Sequence, residues 1–225
     1  MAEWWRTIMG SAARLQYAQR SRFLRSLFVT RNLPCAAPAV RMVVLSIGTS
    51  AALHSYLAGR WSLTKRLDYS FGGLSGNFAG SASFDPLPAS SGGISTADLL
   101  RGGTYLLLFS EEGAFTDDAS SQMFEGGRRL LYDCTGENIV RVSFIDAPAS
   151  DVADAAAARK CSRVVHDIHL SSDADVPPRL TDHPCGPDIY SGSMSIKSDE
   201  LFELCWDVSG PRKTGRVRST FSRLS

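Results

Sequence analysis

The chain has 225 residues, a formal net charge of +1 and 44% hydrophobic residues, which suffices for one domain with a sizeable core and a tail. Its five cysteines are an odd, scattered set without a C-x-x-C pair, so they argue against a disulfide scaffold and for a reducing compartment. No P-loop, dinucleotide-binding fingerprint, kinase motif or catalytic triad is present.

The first 40 residues form a basic leader. Through Arg41 the chain carries seven arginines and a single acid, Glu3, whereas the remainder carries 17 basic and 22 acidic residues. Interleaved Arg, Ser and apolar residues are typical of organelle transit peptides. The pattern predicts a mitochondrial transit peptide over 1–40. The alternative is that these residues form a folded helix or a disordered arm, in which case we expect a cytoplasmic protein. The apolar stretch Met42–Leu53 is too short to span a bilayer, so no transmembrane segment is expected.

Beyond residue 54 the chain alternates apolar and polar residues, the period of half-buried strands. The clearest run is Trp61, Leu63, Lys65, Leu67, Tyr69 and Phe71. We predict nine strands, near 56–71, 75–85, 104–111, 123–133, 137–146, 161–170, 187–196, 200–208 and 214–224.

Three longer loops interrupt these strands: Pro86–Gly103, Ala147–Lys160 and Ser171–Pro184. We expect short helical turns in the first two, the first near Ser95–Leu100, and a polar, Pro-rich loop in the third. Many short strands without long intervening helices predict an all-β fold over 54–225. A closed antiparallel barrel of about nine strands is favoured because closure removes exposed edges, and a sandwich is the alternative.

Trp61 and Arg223 stand at opposite ends of the strand pattern. In a closed barrel the first and last strands are neighbours, so the Arg223 guanidinium is expected over the Trp61 indole as a cation–π contact that closes one end. Gly59-Arg60-Trp61 with a terminal arginine resembles the arrangement in the calycin group, the lipocalins and fatty-acid-binding proteins. The resemblance implies a lipocalin-like barrel and a structural role for this pair.

Two C-terminal motifs carry a second resemblance. His183-Pro184-Cys185-Gly186-Pro187-Asp188-Ile189-Tyr190 fits H-x-C-x-x-D-x-Y, and Trp206–Lys213 fits W-x-V-x-G-P-R-K. These motifs resemble an uncharacterised family of bacteria and some protists, over roughly 55–225. Where that family continues Lys-Asp-Tyr, this chain has Lys213-Thr214-Gly215. The resemblance implies a compact barrel and brings no activity with it.

Polar residues on the apolar side of the strands are the candidate site. Asp188 and Tyr190 share a face with Met194 and Ile196, and His166 shares one with Val164, Ile168 and Leu170. A buried carboxylate needs a partner, which Lys65, His166 or Arg212 could supply. The candidate ligand-binding residues are therefore His166, Asp188, Tyr190, Lys65, Arg212, His183 and Cys185. Either they fix a ligand's polar group or they form a structural network that closes the barrel.

Neither a metal site nor a nucleic-acid site is indicated by the sequence. His166, His169, His183 and Cys185 offer zinc donors, but His166 and His169 face opposite sides of a strand and no standard zinc spacing occurs. Haem ligation by one of these histidines has no further support, and no cofactor is identified. The basic strip of Arg212, Lys213, Arg216 and Arg218 lacks interleaved aromatics, so we expect no nucleic-acid binding.

Three functions remain after these exclusions. The first is a barrel that binds a small amphipathic ligand in its interior. The second is a packed barrel that serves as an accessory or assembly subunit of an organellar complex, with another protein as its partner. The third is an enzyme that uses Asp188 or His166 as a general base and Tyr190 as an acid, a role that a raised carboxylate pKa in an apolar cavity would suit.

Overall fold

A computed structural model describes residues 47–88, 105–145, 152, 154–173 and 175–224. The predicted basic leader and the helical turn expected near Ser95–Leu100 lie outside these residues. The import role of the leader therefore stays a prediction.

Alternation of apolar and polar residues produces eleven strands within the described ranges, together with two short helices. Helix α1 spans Ser50–Leu57 and α2 spans Ala155–Lys160. The strands are β1 Gly59–Phe71, β2 Gly76–Pro86, β3 Leu106–Asp117, β4 Met123–Asp133, β5 Ile139–Ile145, β6 Ser162–His169, β7 Arg179–Leu180, β8 His183–Cys185, β9 Asp188–Ser198, β10 Leu201–Ser209 and β11 Thr214–Arg223.

Ten of these strands close into an antiparallel barrel. From β1 the ladders run through β2, β3, β4, β5, β6, β7, β9 and β10 to β11, and β11 pairs with β1 again. In that closing ladder Trp61 lies opposite Arg223 and Leu67 opposite Val217. β8 is an extra strand that pairs with the start of β9. The predicted all-β closed barrel is confirmed, and the sandwich alternative is wrong.

Two parts of the strand prediction need correction. β3 continues six residues past its predicted end at Glu111, because Glu112–Thr116 pairs with both β2 and β4 and Asp117 pairs with β2. Ser171–Pro184 was predicted to be an irregular loop. β7 lies within this segment, and β8 begins in it and ends one residue beyond it. β7 is short and completes the ring between β6 and β9. The helical turn expected in Ala147–Lys160 is present as α2.

A bulge in β6 alters which of its side chains face inward. His166 pairs with Val142 and Val164 with Ser143, so one extra residue lies between them on β6. The bulge reverses the alternation: His166 and Ile168 are buried, whereas Val164 is 54% exposed. The prediction that Val164 faces inward with His166 was therefore wrong.

Helix α1 covers one end of the barrel, here called the α1 end. Thr49 caps the helix, and the side chains of Leu53 and Leu57 are fully buried in the main core. The Tyr56 hydroxyl donates to the Ser198 carbonyl at the β9–β10 turn (2.8 Å), and the Ser50 amide donates to the Glu137 carbonyl before β5 (2.9 Å). The folded unit thus includes residues from Ile47, seven positions before the predicted start at 54.

Helix α2 packs on the outside of the barrel, against residues of β3 and β4. Ala155 and Ala158 form a second small apolar cluster with Leu106, Leu131 and Val152. None of the helices in the described part of the chain is long and apolar enough to cross a membrane.

Candidate functional site

Three charged side chains meet in the barrel interior. Strand alternation points Lys65 inward from β1, and Glu111 and Arg128 inward from directly paired positions of β3 and β4. The Lys65 Nζ atom lies 2.5 Å from Glu111 Oε1, and Arg128 Nε lies 3.0 Å from the same oxygen. The Glu111 side chain has no exposed surface, whereas that of Arg128 is 23% exposed. We call Lys65, Glu111 and Arg128 the interior cluster.

Opposing effects set the protonation of the interior cluster. Burial raises the pKa of Glu111, but Arg128 and Lys65 outweigh it and hold that pKa below its ordinary value. Burial lowers the pKa of Lys65 to about 8, with Glu111 opposing that shift and Arg128 adding to it. At neutral pH the cluster therefore contains one carboxylate and two cations.

The interior cluster leaves hydrogen-bonding capacity unused. Glu111 Oε2 is buried and has no hydrogen-bond partner, although Oε1 is shared by two cations. Arg128 Nε is close enough to Glu111 for an ion pair, but it too lacks a partner with hydrogen-bond geometry. A buried polar atom without a partner costs about 1–3 kcal/mol, so such atoms point to a missing partner.

His166 extends this polar region towards the other side of the barrel. Its ring packs edge-on against the Trp206 indole with centroids 4.9 Å apart, and its Nδ1 is buried without a hydrogen-bond partner. Burial, followed by the charges of His183 and Arg128, lowers the pKa of His166 to about 3. The imidazole is therefore neutral at physiological pH.

Asp188 has a different environment, at the end of the barrel opposite α1. It is 3% exposed, and its Oδ1 accepts hydrogen bonds from the backbone N–H groups of Arg212 (2.9 Å) and Lys213 (3.3 Å). A Cβ on Gly210 would lie 2.2 Å from that same oxygen, so the position must be glycine. Asp188 therefore holds the β10–β11 turn, and the two C-terminal motifs meet at its carboxylate.

The remaining residues of the first motif surround Asp188. Tyr190 is buried and its hydroxyl is hydrogen-bonded to that of Tyr69; burial raises the pKa of Tyr190 to about 12. Cys185 is half-buried and pairs with Asp188 across a tight turn at Gly186, which has a positive φ of 65°. Arg212 contributes its backbone N–H here, while its side chain is exposed.

His183 links β6 to β9 near β7, which has only two residues. Its Nδ1 lies 2.9 Å from the Val165 carbonyl of β6, and its backbone pairs with Tyr190 of β9. Thr181 makes a similar link, since its hydroxyl accepts from the Asp167 amide (2.9 Å). These side chains complete the barrel wall beside β7.

Trp61 and Arg223 close the α1 end. The Arg223 guanidinium lies 4.2 Å from the centroid of the Trp61 ring, the contact that the sequence predicts. The guanidinium also donates to the carbonyls of Ala58 (3.1 Å) and Tyr56, and the Trp61 indole donates to the Leu57 carbonyl (2.8 Å). The pair thus fixes α1 on the barrel.

The predicted polar site therefore separates into two regions. Lys65 and His166 belong to the interior, whereas Asp188, Tyr190, Cys185 and His183 lie around the C-terminal motifs. Of the three partners considered for Asp188, Lys65 is paired with Glu111 instead, and Arg212 contributes only its backbone N–H. Glu111 and Arg128 were not predicted, although alternation with Leu107 and Phe109 places Glu111 on the inward face of β3.

The described residues contain no group of three or more His, Cys, Asp or Glu that could hold a metal ion. Lys65 and Arg128 beside the Glu111 carboxylate, with the neutral His166 also buried, are groups that can hydrogen-bond to an organic molecule.

Comparison with protein families assigns the chain. Residues 57–223 match the model of a family of unknown function, DUF6314. The chain belongs to that family. The match confirms the predicted resemblance to a family without a known function. No curated protein matches this DUF6314 member.

Solved structures similar to this DUF6314 domain are barrels. An S-type phycobiliprotein lyase from Guillardia theta has a TM-score of 0.49 and 10% identity, covering 79% of this chain and 93% of the lyase. A de novo designed fluorescence-activating β-barrel has a TM-score of 0.29 and 12% identity, covering 76% and 96%. The protein EF1p2_mFAP2b bound to DFHBI has a TM-score of 0.32 and 12% identity, covering 80% and 100%.

Proposed function

We propose that this domain binds a small amphipathic molecule in its barrel interior, with the polar group of that molecule at the interior cluster. The observation that carries the proposal is that two buried polar atoms, Glu111 Oε2 and His166 Nδ1, have no hydrogen-bond partner. Each is a group whose burial costs free energy unless something hydrogen-bonds to it. A ligand's hydroxyl, amide or acid group would satisfy both kinds of atom.

The surroundings of the cluster suit the apolar part of such a molecule. Phe78 lies under the Lys65 ammonium, with 4.9 Å from Nζ to the ring centroid, and Arg128 lies 5.9 Å from the Phe109 ring. Trp206 contributes an indole face beside His166. A few polar groups within an apolar lining are typical of small-molecule sites.

The α1 end is less suited to hold a ligand because aromatic side chains fill it. Phe202 and Phe221 stack with centroids 4.3 Å apart, and Trp61 packs edge-on against Phe202 at 4.8 Å. We therefore place the ligand between the interior cluster and the end opposite α1, the end that carries the C-terminal motifs.

The test uses Nile red, a neutral amphipathic fluorophore, with the full-length chain. Binding of one dye per chain is expected, and Ala82→Phe should weaken it at least about tenfold because Ala82 is buried directly opposite Glu111. Ser81→Phe, one residue along on the exposed face, is the matched control and should bind as the wild type does.

Native mass spectrometry of the wild-type chain provides a second measurement that does not depend on the variant folding. A small organic molecule retained at one copy per chain supports the proposal. If neither a retained molecule nor saturable dye binding is found, the interior is packed, and the assembly-subunit hypothesis is favoured instead.

A further inference from the structure

We propose that the ligand of the interior site is an organic monoanion, such as a carboxylate with an apolar tail, and that Arg128 is its ion-pair partner. This inference rests on the proposed function and specifies its ligand class. Its starting point is the charge of the interior cluster, in which Lys65 and Arg128 face the single carboxylate of Glu111.

The interior cluster holds two cations and one carboxylate, so it carries one positive charge that no carboxylate matches. The ammonium of Lys65 approaches Glu111 to 2.5 Å and matches its charge, whereas Arg128 contacts the same oxygen through Nε at 3.0 Å without hydrogen-bond geometry. No hydrogen bond from its terminal nitrogens is found among the described residues. A guanidinium presents two parallel N–H groups that match a carboxylate, so the geometry favours an anion there.

The position of Arg128 also offers a route from solvent. The β4–β5 ladder covers Leu130–Asp133 of β4, so Arg128 lies just beyond it, at an edge of the wall. Its side chain is 23% exposed, compared with 7% for Lys65 and 0% for Glu111. Arg128 is thus the member of the cluster that an approaching anion meets first.

Glu111 limits the class of anion further. Its buried Oε2 accepts hydrogen bonds only, so a ligand that adds a donor beside its anionic group fits better than a bare anion. A hydroxyl next to a carboxylate would meet both requirements. A ligand without charge would leave the net positive charge of the interior cluster unmatched in the barrel.

The experiment compares three probes with the same tail, dodecanoate, 1-dodecanol and dodecyltrimethylammonium, by calorimetry at neutral pH. We expect dodecanoate to bind most tightly. Arg128→Gln should weaken dodecanoate about thirtyfold or more while changing dodecanol little, because it removes one partner of a buried charge pair. Arg128→Lys should restore part of the affinity.

Arg129→Gln is the matched control, since Arg129 follows on the opposite face of β4 and loses the same charge. Each variant is first checked for a wild-type circular dichroism spectrum. Equal loss in both glutamine variants, or equal affinity of dodecanol and dodecanoate, would overturn the monoanion while leaving interior binding intact. If none of the probes binds and Nile red does not either, the proposed function itself fails.

Discussion

Glu111 and Lys65 form an ion pair across the barrel interior, from strands that are separated by β2. The Nζ–Oε1 distance is 2.5 Å and neither side chain exceeds 7% exposure. On the intervening strand Ala82 lies opposite Glu111, and Phe78 lies opposite Lys65. Each charge has been removed from water, so each depends on the other for compensation.

Replacing Glu111 by Gln should therefore be strongly destabilising. The change leaves Lys65 and Arg128 facing each other without a carboxylate, and breaking a buried pair in this way costs about 3–5 kcal/mol. Urea denaturation followed by circular dichroism measures the loss. The neighbouring Glu112→Gln, on the exposed face, should stay within about 0.5 kcal/mol of the wild type.

A double variant separates charge from packing at this pair. Lys65→Met with Glu111→Leu removes both charges while keeping apolar volume, so it should be more stable than Glu111→Gln alone. If the single and double variants were equally destabilised, the ion pair would not be the reason for the loss.

Asp188 is expected to act on stability through the β10–β11 turn. Asp188→Ala removes the acceptor of the Arg212 and Lys213 N–H groups and should cost about 2–3 kcal/mol, while Asp188→Asn keeps an oxygen there and should cost less. Asp207→Ala is the control, because Asp207 is exposed and pairs only at the surface with Arg216. Unchanged stability in Asp188→Ala would show that the turn does not need this carboxylate.

From the sequence we predicted most strands, and most of the side chains that point into the barrel, correctly. We did not predict which of these inward side chains contact each other. Alternation with a period of two determines which face is buried, and it correctly placed Lys65, His166, Asp188 and Tyr190 inside. It says nothing about which inward residues meet, because that depends on how strands are staggered around the ring. Lys65 meets Glu111 across β2, a contact between residues 46 positions apart.

The bulge in β6 and the strands β7 and β8 were missed for a related reason. In a sequence, a bulge is visible only as a break in the alternation of apolar and polar residues. Val164 and Val165 are adjacent and both apolar, so the sequence does not show which of them points inward. β7 has only two residues, too few to show any period. β7 is a strand because it pairs with β6 and β9, and these pairings cannot be read from its own two residues.

Arg223 should be needed to keep the α1 end closed. Arg223→Met retains the aliphatic stem but loses the cation–π contact and the bonds to Ala58 and Tyr56, at an expected cost of about 2–4 kcal/mol. Thermal unfolding measures it. Arg218→Met, exposed on the same strand, should change the melting temperature little. Comparable losses in both variants would contradict a special role for the Trp61 contact.

Two truncations should define the N-terminal boundary of the domain. A chain that begins at Ile47 should unfold at the same temperature as the full chain, since the described core starts there. A chain that begins at Gly59 loses the buried Leu53 and Leu57 of α1, each worth about 2–5 kcal/mol, and should be unfolded or strongly destabilised. Loss of folding in the first truncation would show that residues 1–46 pack on the barrel.

His166 should make the domain sensitive to acid. Its pKa is lowered to about 3 in the folded state from 6.5, so between these values the unfolded chain binds more protons. Stability must then fall as the pH falls through this window, by about 1.4 kcal/mol for each pH unit. His166→Gln removes this dependence. Between pH 7.5 and 4.5 the wild type should lose about 2–3 kcal/mol more than the variant does.

Urea denaturation of both proteins at half-unit pH steps measures this difference directly. His169→Gln is the control, because His169 is exposed on the opposite face of β6 and its loss should leave the wild-type pH dependence in place. Titrating groups that do not interact with His166 contribute equally to both curves and cancel in the difference. Parallel curves for the wild type and His166→Gln would mean that the His166 imidazole takes up its proton within the folded barrel, which its burial against Trp206 disfavours.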